Sequence, residues 1–456
     1  MTDLPHDIEA LKALIQKLLE ENSQLKAENA ELRRRLGLDS GNSHKPPSSD
    51  GYQKKTVKPG LPKEGKAPGG QAGHAGKTLK RVETPDYVKV HGPGQCACCG
   101  RLFAPDEAHE RVQSRQVFDM PEPKLDVTEH RLAEVECCGL AQRGAYPPHV
   151  TAAVQYGPGV RAWVTKLSVE HKMPLEQISQ LFEDTYGYAL NTATVEDALE
   201  RAYELTEAVE AQVVAQLKAA DCVHFDETGL RVAGKLHWLH VACTETLTHL
   251  FVHEKRGGEA LTGEASVLKD FNGIGVHDCW SPYFNFKLAR HVLCGAHLLR
   301  ELWGLWENGS QWAEDMHGFL LGLYKLPRPV ADPDATRLRY RAILERAGQE
   351  EPPPQPGKRG RPKQSKGRNL FNRLKEHEDG VLAFALEADI PFTNNQAERD
   401  LRPAKVKQKV SGCFRTKAGA KAYARIQATI STIRKQRLNV FATLRDLFSG
   451  APVVLA

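Results

Sequence analysis

The apolar run Cys222-Val223-His224-Phe225 reads as a buried strand that closes on Asp226 before a turn at Glu227-Thr228-Gly229, and together with the fifty residues after it this run restricts the fold more than any other stretch. Residues 235–243 (KLHWLHVAC) and 249–253 (HLFVH) are rich in β-branched and aromatic side chains. The polar Thr244-Glu245-Thr246 separates them, so they are expected as the second and third strands of a meander. Residues 258–271 then take helical spacing, with Leu261, Ala265, Leu268 and Phe271 on one side, and Ile274-Gly275-Val276 leads into His277-Asp278. The order β-β-β-α-β sets Asp226 and Asp278 at the ends of two strands that can lie side by side in one sheet.

Neighbouring carboxylates repel, and a shared divalent cation is the usual resolution. Two Mg2+ ions roughly 3.5–4 Å apart activate a water or a 3′-hydroxyl and stabilise the leaving oxygen of an in-line displacement at phosphorus. A third acid is needed to complete the second metal site. Glu398, within Asn394-Asn395-Gln396-Ala397-Glu398-Arg399, fits that role, because Asn394 is placed to cap a helix that carries Glu398 inward. Each acid taken alone reads as an ordinary surface residue; their joint placement in this strand order points to two-metal phosphoryl transfer on DNA.

The strings FDETGLRVAGKLHWLHVACTETLTHLFVHEKRG, GVHDCWSPYF, HVLCGAHLLREL and NNQAERDLRPAKVKQKVSGCFRTKAGA resemble the transposases of the insertion sequence 66 family. Upstream, NSHKPPSSDG and GGQAGHAGKTL continue the resemblance in the same order. It implies a DDE-type transposase with a ribonuclease H-like catalytic core, Mg2+ as cofactor, and Asp226, Asp278 and Glu398 as the catalytic, metal-holding triad. Small accessory proteins of the same element are implied as further partners. Two other readings are a catalytically decayed dimeric DNA-binding repressor or architectural protein, and a metal-dependent nuclease without strand transfer.

At 456 residues the chain is long enough for about three domains. Its net charge is only +5, but the charge is clustered. Residues 399–437 hold twelve Lys or Arg against Asp400 alone, 352–375 hold eight and no acid, and 51–82 hold eight against Glu64. Such blocks suit a surface that tracks double-stranded DNA. Within them Lys405, Lys407, Lys409 and Arg415 are the expected phosphate contacts. Lys358-Arg359-Gly360-Arg361-Pro362-Lys363 resembles an AT-hook core, which adds Arg359 and Arg361. Without a signal peptide or a membrane-length apolar run, a bacterial cytoplasmic, nucleoid-associated protein is expected.

The other modules lie mostly upstream. Ile8, Leu11, Ile15, Leu18, Asn22, Leu25, Asn29, Leu32 and Leu36 form a heptad seam, which predicts a coiled coil over 1–38 and a homodimer or higher assembly; a single helix packed on the body is the alternative. Residues 39–82 read as a flexible basic linker. At 83–150 a zinc-ribbon-like β domain is expected, with a strand-like stretch over 115–136. Cys96, Cys99, Cys137 and Cys138 would hold structural Zn2+. The resembling family usually has a second C-x-x-C where this chain has Val135 and adjacent Cys137-Cys138. Extended neighbours point to opposite faces, which admits His130 or His149 beside Cys138 as an alternative. Residues 151–215 read as helical, either a helix-turn-helix laid on DNA or plain packing. His291, Cys294 and His297 are spaced as on a helix; they suggest a second metal site or, preferably, bracing of the core. The catalytic domain is expected at 216–440, with a helical insertion at about 300–390 and a C-terminal tail at 441–456, in a multidomain and mainly α protein around an α/β core.

Overall fold

A computed structural model describes residues 7–36, 79–104, 107, 113–147, 149–354 and 364–455. Most of the expected linker, and Arg359 and Arg361, lie outside the described residues. Helix α1 (Ile8–Leu36) is a single run of 29 residues, about 43 Å long. Ile8, Ile15, Leu18 and Leu25 of its seam are exposed. No described helix is long and apolar enough to cross a membrane.

The strand expected over 115–136 is confined to its end. Strands β1 (Glu134–Cys137) and β2 (Leu140–Arg143) form an antiparallel hairpin, while Pro121 and Pro123 upstream supply no ladder N–H. Its turn, Cys138-Gly139, has φ of 54° and 76°, the left-handed pair that matches hairpin twist. Cys138 is therefore not extended, and its Sγ lies 3.7 Å from that of Cys137 rather than on the opposite face.

Four helices come next: α2 (Pro158–Val169), α3 (Leu175–Tyr186), α4 (Thr192–Leu205) and α5 (Glu207–Ala219). Gly187 ends α3 at φ 71°, and the Asn191 side chain caps α4 by accepting from the Ala193 N–H. The central sheet then forms from β3 (Cys222–Val232), β4 (Lys235–Cys243), β5 (Thr248–His253), β6 (Ile274–His277) and β7 (Arg290–Leu293), in the order β5-β4-β3-β6-β7. The β3–β4–β5 meander is antiparallel; β6 is parallel to β3, and β7 to β6.

Two local expectations are corrected here. Asp226 does not close a strand, because β3 continues to Val232 and turns only at Ala233-Gly234. Glu227 remains in the ladder since its carboxylate finds partners on the sheet face. The helix expected over 258–271 is reduced to α6 (Gly258–Leu261) and a short 3-10 turn at Leu268–Asp270. Leu261, Val267, Leu268 and Phe271 are buried without a continuous helix, and Ala265 is exposed.

Beyond the sheet come α7 (Gly295–Trp306), α8 (Gln311–Lys325), α9 (Pro333–Glu350), α10 (Lys366–Glu376), α11 (Glu378–Leu386), α12 (Asn395–Ser411), α13 (Lys417–Lys435) and α14 (Val440–Phe448). Alternation along β3 and β4 builds a separate core on each face. Leu230, Val232, Leu239 and Val241 pack with Leu401, Ile426, Ile430 and Leu444 on one side. Val223, Phe225 and Ala242 pack with Val213, Leu217, Phe271 and Tyr283 on the other. The inserted helices share their core with Val276, Val292 and Leu293 of β6 and β7.

The first half of the segment expected as a tail, 441–456, lies in α14. Val440, Leu444, Leu447 and Phe448 recur at helical spacing and are buried, and Phe441 meets Trp163 edge-to-face at 6.0 Å.

Candidate active site

Asp226 and Asp278 reach the same region by sheet register. The last β3–β6 pair is His224 with Val276, so each acid sits two positions further along parallel strands, on the face toward α12. The Glu227 N–H donates to Asp226 Oδ1 at 2.8 Å. Cys279 takes φ 72°, and this turn brings the Trp280 N–H back onto Asp278 Oδ1 at 3.0 Å. Glu398 stands in the first turn of α12, where its Oε1 accepts from Arg300 Nη2 at 3.2 Å and lies 3.7 Å from His297 Nε2. Burial, then the charges of Glu227 and Asp278 and, more weakly, Glu398, push the Asp226 carboxyl well above the usual range. The Asp226 carboxyl thus feels both of the other acids of the sequence pattern, which come from segments far apart in the chain.

Glu227 faces the other side of the sheet. Its buried carboxylate accepts from Tyr283 Oη at 2.5 Å and Arg256 Nε at 2.8 Å. The Arg256 guanidinium lies 4.2 Å from the Trp280 ring centre and 4.9 Å from that of Trp238. Burial and the Asp278 charge raise the Glu227 carboxyl, against the Tyr283 and Arg256 bonds.

Asn394 does not cap α12 with its side chain. It is fully buried; Nδ2 donates to the Phe225 carbonyl at 2.8 Å, and Oδ1 accepts from His224 Nδ1 at 3.0 Å. The helical placement of His291, Cys294 and His297 is corrected as well: His291 lies in β7 and Cys294 precedes α7. His277 Nδ1 accepts from the Cys279 N–H, so its Nε2 donates to His291 Nδ1 at 3.0 Å, and His291 Nε2 donates to the Phe286 carbonyl. With both ring nitrogens of His291 engaged in hydrogen bonds, the arrangement is a brace.

The expected phosphate contacts divide. Lys405 turns inward and donates to the Gly229 carbonyl at 2.6 Å, and Lys407 lies 4.7 Å over the Phe414 ring. Burial lowers both ammonium groups. Lys409 and Arg415 are exposed. Arg399 and Arg402, which were not among the expected contacts, are exposed on α12 with Lys409. Their spacing of three and seven residues places them along one helical stripe, a signal visible in the sequence.

Among the described residues, no three His, Cys, Asp or Glu side chains are drawn together closely enough to hold a metal ion. In the acid cluster, Glu398 is directed to Arg300. The donor chemistry nevertheless fits a hard cation: carboxylate oxygens, one of them desolvated and raised by its neighbours. Cys96 forms a knuckle, accepting the Gly100 N–H at its carbonyl, and the Cys99 and Cys98 N–H groups lower its thiol. Cys137 and Cys138 are exposed on the hairpin. The knuckle and hairpin do not come together as one thiolate site among the described residues.

A mixed sheet with helical cores on both faces defines an α/β protein. The sequence profile described as Transposase IS66 family matches residues 153–422, and the chain belongs to that family. This gives it a transposase role, with DNA as its partner. A second profile, a family of unknown function (DUF6444), matches residues 2–80. No curated protein matches the chain.

Proposed function

We propose that this transposase is a DDE-type enzyme with a ribonuclease H-like core, binding the ends of its element and carrying out DNA cleavage and strand transfer. The observation that carries the reading is sheet register: Asp226 and Asp278 lie two positions beyond the His224–Val276 pair of neighbouring strands, and Glu398 stands in the first turn of α12, the helix packed on β3. The sheet order supports it, since an antiparallel meander followed by two parallel strands places the first acid on the central strand.

In this reading Asp226, Asp278 and Glu398 hold two Mg2+ ions. When bound, these would supply Lewis-acid activation of the attacking oxygen and charge neutralisation at phosphorus. The Glu227 N–H orients Asp226, the Trp280 N–H orients Asp278, and Arg300 with His297 holds the Glu398 carboxylate. Arg399, Arg402, Lys409 and Arg415 contact phosphates. No nucleophilic side chain is required, because water and then a 3′-hydroxyl attack phosphorus directly. The outer face of α4 carries Glu196, Asp197, Glu200 and Glu204 against Arg201, which disfavours laying that helix on DNA. Element ends are instead assigned to the basic segments, and dimerisation to α1. Structural zinc at Cys96, Cys99, Cys137 and Cys138 would require the knuckle and hairpin to close together.

The test is single replacement of Asp226, Asp278 and Glu398 by Ala. Cleavage of end-containing DNA should fall by about a hundredfold or more in each, while end binding in a mobility-shift assay persists. Full activity in Asp278→Ala would remove the reading. Following labelled 3′ ends into target DNA separates strand transfer from simple hydrolysis.

A further inference from the structure

Asn394 is completely buried at the start of α12, where an Asn side chain ordinarily binds the free N–H groups of the helix. Its side chain makes no such bond. It reaches β3 instead, donating to the Phe225 carbonyl at 2.8 Å and accepting from His224 Nδ1 at 3.0 Å, immediately before Asp226. Its backbone N–H donates to Cys294 Sγ at 3.1 Å. The Cys294 N–H in turn donates to the carbonyl of His277, the residue before Asp278, at 2.8 Å. The Gly295 N–H closes the same junction on the Phe392 carbonyl at 2.8 Å.

These bonds join the three acid-bearing segments at one point. Asn394 is four residues ahead of Glu398, within the same helical start, and Cys294 opens the helix that carries His297 and Arg300. Helix formation alone does not explain the bonding, because the cap interaction is given up. Burial of an amide bonded through both its oxygen and its nitrogen fixes geometry: a shift of either segment would leave a buried polar atom unpaired.

We propose that Asn394, acting with Cys294, is the positioning residue that sets the spacing of Asp226, Asp278 and Glu398 and so the affinity of the triad for divalent cations. The inference rests on the reading of those acids as the metal-holding triad. Outer partners of metal-holding side chains govern affinity in this way, because they fix where the oxygens stand before the ion arrives.

Asn394→Asp is nearly isosteric and sets a carboxylate oxygen against the Phe225 carbonyl. Mn2+ binding to the full-length protein, followed by electron paramagnetic resonance, should weaken roughly tenfold or more. End-DNA binding should be unchanged, and cleavage should recover in part at raised Mg2+. Thr248→Val is the comparison: it removes hydroxyl bonds to Asp400 of α12 and Ser431 of α13 but touches none of the acids of the triad. It should lower the melting temperature and leave Mn2+ affinity alone. Asn394→Asp protein that melts early yet binds Mn2+ like the wild type would overturn the proposal. If Asn394→Asp does not fold, Cys294→Ala carries the test: several-fold weaker Mn2+ binding supports the proposal and wild-type binding overturns it. Wild-type Mn2+ binding insensitive to Asp278→Asn would overturn the triad reading and this inference together. Binding lost in Asp278→Asn but kept in Asn394→Asp overturns this inference alone.

Discussion

At the scale of single residues, adjacent side chains have unlike surroundings because β3 separates them onto two faces. Asp226 looks toward α12 and the other acids, whereas Glu227 is held by Tyr283 and Arg256 behind the sheet. His240 pairs with Glu227 across the β3–β4 ladder and stacks on Phe251 at 4.8 Å. Burial pushes its imidazole down to about 4 from the ordinary 6.5. The folded protein therefore keeps His240 neutral while the unfolded chain takes up a proton below about pH 6.5, so this contribution to stability is lost as pH falls from about 6.5 to about 4. Replacing it by Phe, which preserves the stack, should remove up to about 3 kcal/mol of that acid sensitivity. Melting temperatures of His240→Phe and wild type across this range should converge at neutral pH and diverge in acid; parallel curves would show that His240 is protonated when folded.

At the scale of elements, α12 has two unlike faces. Its inner side holds Glu398 and packs Leu401 and Ala404 against the sheet, and its outer side exposes Arg399, Arg402 and Lys409. Lys405 and Lys407 belong to the inner or flanking side, so the basic run is not uniformly available to DNA. Replacing Arg399 and Arg402 together by Ala should weaken end binding and flatten the logarithmic salt dependence by about one for each phosphate no longer neutralised. Lys405→Ala should leave that slope unchanged. Filter binding across a salt series decides between them, and an effect confined to Lys405 would reassign the DNA-facing side.

At the scale of the whole molecule, the helices before and after the sheet are not independent bodies. Ala162 and Ala202 from the preceding helices, and Leu444 from the last, enter one core with the sheet, and the insertion completes another around β6 and β7. By contrast, α1 presents Ile8, Ile15, Leu18 and Leu25 to solvent within a single chain, an apolar stripe that a second copy would cover. Removing residues 1–36 should convert a dimer to a monomer that retains its folded core. Sedimentation at several concentrations checks this, and a truncated protein that remains dimeric would move the interface into the body.

The features legible in the sequence were local and periodic. Runs of β-branched and aromatic residues around a polar turn placed β4 and β5 nearly at their observed limits, and the strand order set two acids on neighbouring strands. Tertiary structure decided whatever depends on distant partners. Asn394 bonds β3 rather than its own helix because Phe225 and His224 lie there. Lys405 turns inward because the Gly229 carbonyl accepts it, and 441–448 is helical because α2 offers an apolar face to Phe441 and Leu444. Nothing within a few residues of these positions encodes those partners; folding supplies them, and burial then makes each bond obligatory.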